Sequence, residues 1–222
     1  MSFIHETAIV SREAVVGDDC YIGPFSIVGG EVVLGNGVRL ESHVVIDGRT
    51  EIGDETKIFP FVSIGLAPQD LKYGGEATRT RIGRRNQIRE FVTVHRGTAG
   101  GGGLTEIGDD NLLMAQAHVA HDCRIGSEVI MANAATLAGH VTIEDRANVG
   151  AYSGVHQFCR VGREAFVGGY SVVVKDALPF AISQGNHAKC YGLNRVGMRR
   201  RGYSKETIEK LHHAYHLLLS AK

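Results

Sequence analysis

The chain has 222 residues, with 24 Lys plus Arg and 24 Asp plus Glu, so its formal net charge is zero. This balance argues against a broadly basic nucleic-acid-binding protein, and the sequence has no apolar run long enough to predict a membrane span. The first residues lack the basic region and apolar run of a signal peptide, so we expect a cytosolic location. Glycine is abundant, with 29 residues beside only 4 prolines, which predicts many backbone turns in an ordered structure.

Aliphatic residues recur every six positions along most of the chain. The series runs from Ile4 to Ile64, returns between Ile82 and Val94, slips by seven residues, and resumes from Ile107 to Val173. A period of six fits neither an α-helix nor a simple alternating strand. It predicts an all-β solenoid over residues 1–178, a parallel β-helix that turns a corner every six residues and closes a triangle every three hexads. About nine coils would make a prism roughly 40 Å long.

A second position in each hexad always carries a small residue. Three of the four cysteines, Cys20, Cys123 and Cys159, occupy this position, and only Cys190 lies outside the repeat. We expect the three to act as small core residues. The chain has no CxxC motif, which argues against a disulfide scaffold.

Two segments interrupt the repeat, and both are predicted to leave the prism as loops. Residues 65–81 hold Pro68, paired glycines and a polar cluster. Residues 97–105 hold four consecutive glycines, which indicate a flexible segment or a close approach of the backbone. The glycine run does not match the P-loop pattern, so a phosphate cradle is a weak interpretation.

The repeat stops before residues 179–222, where we expect a helical segment. A short helix is predicted around residues 192–201, and Ser204 is the predicted N-cap of a longer one. Ile208, Leu211, Tyr215 and Leu218 would then share one helical face. The segment carries eight Lys or Arg and two Asp or Glu. Its densest basic point, Arg199–Arg201, is either a solvated helix face or a docking site for an acidic partner or phosphates.

Histidine is unusually frequent, with 11 residues, and five of them lie in the second half of the repeat: His95, His118, His121, His140 and His156. Because equivalent positions on adjacent coils lie 18 residues apart, the spacing of His121, His140 and His156 places them near one edge of the prism. Val119 and Cys123 take the inward positions, so the imidazoles should point outward. Such a cluster suits either a zinc site made of three histidines or a general base.

Several motifs closely resemble the UDP-N-acetylglucosamine O-acyltransferase family. They are PQDLKYGGEATR, VTVHRGTAGGGGLT, NLLMAQAHVAHDCRIGSEVIMANAATLAGHVTI, VHQF and QGNHAKCYGLNRVGMRRRG. The resemblance covers nearly the whole chain and implies a left-handed β-helix and a homotrimer with active sites between subunits. It also implies the first step of lipid A biosynthesis, transfer of an (R)-3-hydroxyacyl group from acyl carrier protein to the sugar 3-hydroxyl. No cofactor is implied beyond the phosphopantetheine of that carrier.

The resemblance also assigns roles to individual residues. His121 is the general base, Asp122 the orienting carboxylate and Gly139 the N–H donor to the thioester oxygen. Neighbouring side chains of a regular strand point to opposite faces, which would separate His121 from Asp122. Lys72 and Arg200 suit an anionic diphosphate. The residues matched to substrate contacts are Gln69, Asp70, Lys72, His95, His118, His140, His156, Gln157, Gly169, His187, Asn194 and Arg200.

Within this set, Gly169 matches the position that limits acyl length. The basic Arg199–Arg201 segment would contact the carrier protein. Members of the family usually continue several tens of residues further, so we expect a short member or a truncated chain.

Other functions remain open at this point. One is another hexapeptide acyltransferase, either the N-acyltransferase of lipid A synthesis, which normally has a separate N-terminal domain, or an acetyl-CoA-dependent enzyme. A γ-type carbonic anhydrase needs three zinc-binding histidines, and the spacing of His118 and His121 is unlike that family. The last two are a non-catalytic scaffold and covalent catalysis through Cys123.

Overall fold

The computed structural model describes residues 1–220, and the backbone forms a prism of short strands joined at tight corners. In chain order the strands are β1 (Phe3–Ile4), β2 (Ile9–Val10), β3 (Val15–Val16), β4 (Tyr21–Ile22), β5 (Ile27–Val28), β6 (Val32–Leu34), β7 (Arg39–Leu40), β8 (Val45–Ile46), β9 (Arg49–Ile52), β10 (Lys57–Ile58), β11 (Ser63–Leu66), β12 (Arg79–Ile82), β13 (Gln87–Ile88), β14 (Thr93–His95), β15 (Leu104–Ile107), β16 (Leu112–Leu113), β17 (His118–Val119), β18 (Arg124–Ile125), β19 (Ile130–Met131), β20 (Thr136–Leu137), β21 (Thr142–Ile143), β22 (Asn148–Val149), β23 (Gly154–Val155), β24 (Arg160–Val161), β25 (Phe166–Val167), β26 (Val172–Val173), β27 (Ala181–Gln184) and β28 (Lys189–Leu193). The helices are α1 (Arg195–Arg200) and α2 (Lys205–Ser220), and Ala99–Gly101 forms a single 3-10 turn.

These strands build three walls of parallel sheet. Wall A contains every third strand from β1 to β25 and then β27 and β28, wall B runs from β2 to β26, and wall C from β3 to β24. Each strand pairs with the strand one coil later, as when Ile4 pairs with Ile22, 18 residues along the chain. The predicted left-handed parallel β-helix is therefore confirmed.

The interior of the prism is filled by the two repeating positions of the hexad. The aliphatic residues are almost completely buried from Ile22 to Val173, and the small residues at the second position pack between them. Cys20, Cys123 and Cys159 are buried among these small residues, as predicted, and are free thiols. Continuous burial from the second coil onward gives the rigid scaffold that carries the outward side chains.

The two interruptions leave the prism without breaking the stack of coils. Ile58 pairs with Ile88 across 30 residues, and Ile82 pairs with Ile107 across 25, so the register of the walls survives both loops. The first loop leaves after β11 and returns at β12, and the second leaves after β14 and returns at β15. Both therefore emerge where wall B turns into wall C, which we call the B–C edge.

The C-terminal segment begins with strands rather than with a helix. β27 extends wall A, and β28 pairs with it in antiparallel orientation. The helical prediction missed them because the period-six signal ends at Val173 and each strand is too short to show a pattern of its own. The predicted N-cap is present, since the N–H of Thr207 donates to Oγ of Ser204 at 3.1 Å.

Helix α2 packs on this sheet through part of its predicted face. Ile208 and Tyr215 are buried with Met198, whereas Leu218, which follows them on the same predicted face, is 69% exposed. The main contacts of α2 are made with β28 and α1. Neither described helix combines the length and apolar character that a membrane crossing requires.

A buried carboxylate ties this segment to the prism. The side chain of Glu164 is only 1% exposed, and its oxygens lie 3.1 Å from Nε of Arg201 and accept a hydrogen bond from the hydroxyl of Tyr203 at 3.1 Å. Arg201 also contacts Glu128 at 3.4 Å. Of the three consecutive arginines, Arg199 and Arg200 are exposed, whereas Arg201 is held against the prism.

Candidate active site

The proposed catalytic residues lie in one corner of the B–C edge. His121 and Asp122 stand between β17 of wall B and β18 of wall C, and Asp122 has the left-handed backbone conformation (φ 59°) that recurs at the corners. The corner reverses the chain, so both side chains point toward the same cleft. The strand-based expectation that they face opposite sides is wrong because neither residue belongs to a strand.

The two side chains form a hydrogen-bonded dyad. Nδ1 of His121 lies 2.8 Å from Oδ2 of Asp122, and the side chains are 17% and 1% exposed. A carboxylate oxygen accepts here, so in the neutral imidazole Nδ1 carries the proton and Nε2 has the lone pair. The dyad therefore holds a base directed away from the carboxylate.

The carboxylate of Asp122 is itself held by a residue that the sequence did not single out. The N–H of Thr98 donates to Oδ1 at 2.9 Å, and the hydroxyl of Thr98 donates to Oδ2 at 2.6 Å. The N–H of Asp122 donates to Oγ1 of Thr105 at 2.8 Å. The glycine-rich 97–105 segment was the available signal, but its sequence does not reveal which side chain it surrounds.

Gly139 lies on the next coil and touches the imidazole of His121. A Cβ atom at this position would stand 2.5 Å from Cε1 of His121, closer than any real contact allows. Glycine is thus required so that the histidine ring can lie flat against the backbone. Among residues 1–220, the N–H of Gly139 donates to no other protein atom, so it remains available as a donor.

A cavity of about 330 Å³ opens beside the dyad and is lined by Gln69, His95, His118, His121 and Gly139. The rings of His95 and His118 meet edge to face at 5.0 Å, and Nδ1 of His118 lies 2.6 Å from the hydroxyl of Thr93. Burial, together with the neighbouring His118 and His121, lowers the pKa of His95 to about 4. Burial also lowers the pKa of His118, with a further contribution from His121. His95 is therefore neutral at neutral pH.

The coil that follows supplies His140 and its neighbours. The ring of His140 meets that of His121 edge to face at 5.1 Å, and Phe158 stacks on its other side at 4.5 Å. His156 and Gln157 are exposed at the next corner, and Nδ1 of His156 lies 3.1 Å from the carbonyl oxygen of Gln157. The predicted column of histidines along this edge thus has Phe158, rather than His156, in direct contact with His140.

The other predicted contacts are spread over the surface of the chain. In the first loop, Oδ1 of Asp70 accepts a hydrogen bond from the N–H of Lys72 at 3.0 Å. Gln69, from the same loop, lines the cavity beside the dyad. Gly169 is exposed at the corner between β25 and β26, and His187 is exposed in the turn between β27 and β28.

Asn194 and Arg200 line a different cavity of about 450 Å³ on wall A. There the side chain of Asn194 caps α1 by accepting the N–H of Gly197 at 3.0 Å. Within one chain, these two residues are not brought together with the histidines.

The arrangement fits a hydrogen-bonded dyad better than a metal centre. One donor atom each of His121, Asp122 and His140 lies within 4.8 Å of the others, a spacing that would suit an ion. However, both oxygens of Asp122 already accept hydrogen bonds from Thr98, and Oδ2 also faces His121. An ion would have to displace those donors from a carboxylate that is 1% exposed.

Cys123 is unsuited to act as a nucleophile. Burial raises the pKa of its thiol to about 12, and its Sγ donates to the carbonyl oxygen of Ala138 at 3.2 Å inside the prism. Only a thiolate is a strong nucleophile, so covalent catalysis through this residue is disfavoured.

Comparison with known proteins identifies the family. Residues 176–222 match the model of domain 2 of UDP N-acetylglucosamine O-acyltransferase, and residues 13–48 and 104–139 match the hexapeptide repeats of bacterial transferases. LpxA from Acinetobacter baumannii is 48% identical, with 96% of this chain and 83% of that chain covered and a TM-score of 0.95. The chain belongs to the UDP-N-acetylglucosamine O-acyltransferase family.

Other solved members of the UDP-N-acetylglucosamine O-acyltransferase family agree along nearly the whole chain. The enzyme from Moraxella catarrhalis is 46% identical, with 98% of this chain and 85% of that chain covered and a TM-score of 0.96. The Arabidopsis enzyme is 36% identical, with 99% and 84% covered and a TM-score of 0.86. The resemblance read from the sequence motifs is therefore confirmed.

Proposed function

We propose that this chain transfers an (R)-3-hydroxyacyl group from acyl carrier protein to the 3-hydroxyl of UDP-N-acetylglucosamine, the first step of lipid A biosynthesis. Membership in the O-acyltransferase family supports the reaction class and the sugar nucleotide. The single observation that carries the mechanism is the His121–Asp122 dyad, whose Nε2 keeps a lone pair beside an open cavity. A sugar hydroxyl is a poor nucleophile, and such a base is what it needs.

In this mechanism, Nε2 of His121 removes the hydroxyl proton as the sugar oxygen attacks the thioester carbon. The new C–O bond forms, the C–S bond breaks, and the proton returns to the departing thiolate of the carrier. Asp122 stabilises the imidazolium that exists between these steps, because its Oδ2 lies 2.8 Å from Nδ1. A positioned base of this kind contributes roughly 100- to 10,000-fold in rate.

The free N–H of Gly139 is the proposed donor to the thioester oxygen as that oxygen becomes negative. It lies against the ring of His121, so the base and the donor act on the same reacting centre. One preorganised donor of this kind is worth about 3 kcal/mol of barrier.

The remaining substrate contacts support a site shared by two copies of the chain in a homotrimer. His95, His118 and His140 stand at the B–C edge, whereas Asn194 and Arg200 stand at wall A. A neighbouring copy could bring its wall A against this edge and complete the site. Lys72 and Arg200 would then hold the diphosphate, with the other predicted contacts, Gln69, Asp70, His156, Gln157, Gly169 and His187, along the sugar and acyl path.

The carrier protein would dock on the basic C-terminal segment. Arg199 and Arg200 are exposed on α1, whereas Arg201 is engaged with Glu128 and Glu164. We therefore assign the docking contact to Arg199 and not to Arg201, whereas Arg200 is assigned to the diphosphate. The acyl group would arrive on the phosphopantetheine of the carrier, and no other cofactor is proposed. We propose that the reaction takes place in the cytoplasm.

The test is a mass-spectrometric assay in which UDP-N-acetylglucosamine is incubated with hydroxyacyl carrier proteins of several chain lengths. We expect an O-acylated sugar nucleotide with the wild-type chain and almost none with His121→Ala. Cys123→Ser is the matched control, because it changes the adjacent buried residue and should keep most of the turnover. Substantial product from the His121→Ala variant would reject the mechanism.

A further inference from the structure

We propose that Thr98 is a positioning residue for the catalytic dyad, which extends the dyad to the chain Thr98–Asp122–His121. This inference rests on the proposed function. The two groups that Thr98 offers, its N–H and its hydroxyl, bind one oxygen each of the Asp122 carboxylate at 2.9 and 2.6 Å. A carboxylate that accepts a hydrogen bond at each oxygen is held against rotation about its Cβ–Cγ bond. Such a rotation would change the orientation of the His121 ring.

The two hydrogen bonds between Thr98 and Asp122 lie inside the protein rather than at its surface. Thr98 is 7% exposed, and the Asp122 side chain is 1% exposed. Hydrogen bonds between a donor and a buried carboxylate are among the stronger ones in proteins. The orientation of the carboxylate is therefore set by the loop and not by solvent.

The glycine run is explained by the same contact. A Cβ atom on Gly101 would overlap the carboxylate of Asp122, and one on Gly97 would lie 2.9 Å from its Oδ1. The loop thus closes around the carboxylate from two sides, and only glycine allows the backbone to come so near. Gly102 and Gly103 then return the chain to β15 with φ values of 94° and 75°, which glycine adopts readily.

The shared oxygen gives Thr98 a chemical effect as well as a geometric one. Oδ2 of Asp122 accepts from both the Thr98 hydroxyl and Nδ1 of His121. Removing the hydroxyl leaves that oxygen to His121 alone, so it holds the imidazolium proton more strongly. The other titratable groups that face the dyad are His140, whose Nδ1 is 3.9 Å from Oδ2, and His95 and His118 in the cavity. None of these is altered by a change at Thr98.

The experiment compares Thr98→Val, which keeps the size but removes the hydroxyl, with Thr98→Ser, which restores it. For Thr98→Val we expect kcat to fall about tenfold, since one hydrogen bond to a charged group is worth about 1.5 kcal/mol or more. The acid limb of the kcat/KM profile should move to higher pH, with little change in KM for UDP-N-acetylglucosamine. Thr98→Ser should return both values toward wild type.

Thr56→Val is the matched control. Thr56 is fully buried at a distant corner, where its hydroxyl donates to the carbonyl oxygen of Gly83 at 3.0 Å. Its loss should reduce stability without moving the pH profile. If Thr98→Val does not fold, Thr98→Cys keeps the side-chain size with a weaker donor and should give a smaller shift of the same sign.

A Thr98→Val or Thr98→Cys enzyme whose acid limb and kcat match those of wild type would overturn the inference. NMR titration of the His121 ring in the substrate-free wild-type and Thr98→Val proteins makes the same comparison without turnover. This measurement separates the two proposals. A wild-type chain that makes no acylated sugar nucleotide contradicts the proposed function, whereas the same His121 titration in both proteins contradicts the role of Thr98.

Discussion

His95 shows how the cleft controls the charge of its histidines. It is 6% exposed, and its Nδ1 has no hydrogen-bond partner among the described residues. Two further imidazoles, His118 and His121, lie close enough to oppose a positive charge on it. A protonated His95 would thus be buried without a counter-charge, which is why the pKa falls to about 4 from its usual 6.5.

This depressed pKa predicts a dependence of stability on pH. Above pH 6.5, His95 is neutral in the folded and the unfolded chain, and its full contribution to stability is present. As the pH falls from 6.5 toward about 4, the unfolded chain binds a proton that the folded chain refuses, so stability is lost. The difference amounts to roughly 3 kcal/mol by linkage.

Urea unfolding across this pH range measures the effect. His95→Gln removes the titrating group while keeping a polar side chain, and it should flatten the fall in the free energy of unfolding relative to wild type. The acidic residues titrate in both proteins and cancel in the comparison. Parallel pH curves for the two proteins would show that His95 does not carry the effect.

At the scale of single residues, the sequence predicts which residues lie near one another better than it predicts where their side chains point. The 18-residue period placed His121 and His140 on adjacent coils, and their rings do meet at 5.1 Å. The period could not show that Asp122 turns toward His121, because that depends on a corner with positive φ. Nor could it reveal Thr98, whose partner is 24 residues away on another coil.

At the scale of elements, the connection between α1 and α2 depends on the buried Glu164. Its carboxylate faces Arg201, Tyr203 and, at 3.8 Å, Nη1 of Arg146. Burial, the Glu164 charge and its hydrogen bond raise the pKa of Tyr203, so the phenol remains a donor to the carboxylate. The same contact fixes the position from which Arg199 and Arg200 are displayed.

Glu164→Gln should therefore loosen this connection. The variant keeps the shape of the side chain but removes the charge that faces Arg201, and we expect a loss of about 1–3 kcal/mol of local stability. Amide hydrogen exchange should accelerate in residues 195–203 and stay unchanged in the prism. Glu128→Gln is the control, since Glu128 contacts the same Arg201 at 3.4 Å but is exposed. Equal exchange in both variants would contradict the anchoring role.

The elements themselves were predictable wherever the hexad repeats. Each period of six gives one short strand and one corner, and the walls follow from stacking them. The prediction weakens after Val173, where β27 and β28 follow no period. β27 pairs with β25 of wall A, and β28 pairs with β27. Helix α2 was recovered from its cap and its apolar spacing, but the packed length of its face depends on tertiary contacts that spacing does not encode.

At the scale of the whole molecule, the proposed site needs more than one copy of the chain. We expect three copies in sedimentation equilibrium, with a mass of three times 23.9 kDa, about 72 kDa. Two variants with little activity, His121→Ala and Arg200→Ala, should partly restore turnover when they are co-expressed. In random mixing, about a quarter of shared sites would pair an intact His121 with an intact Arg200 of the neighbour.

The control for this mixing experiment is His121→Ala co-expressed with Thr98→Val. Both residues lie in the same cleft of one chain, so no arrangement of copies combines an intact pair from two different chains. A monomeric mass, or equal activity in the two mixtures, would argue against a shared site.

Four consecutive coils each place one feature at the B–C edge. These features are the loop of residues 65–81, the glycine-rich loop of residues 97–105, the His121–Asp122 corner and the Gly139–His140 corner. Successive coils are separated by about 4.8 Å, so these groups are spaced at fixed intervals along the edge. A sugar nucleotide bound along the edge meets side chains only at these intervals. The chain can therefore alter the fit only by changing the residues at a corner or by adding a whole coil. Diversity of substrate in such a molecule would arise by exchanging corners, while the walls that space them stay the same.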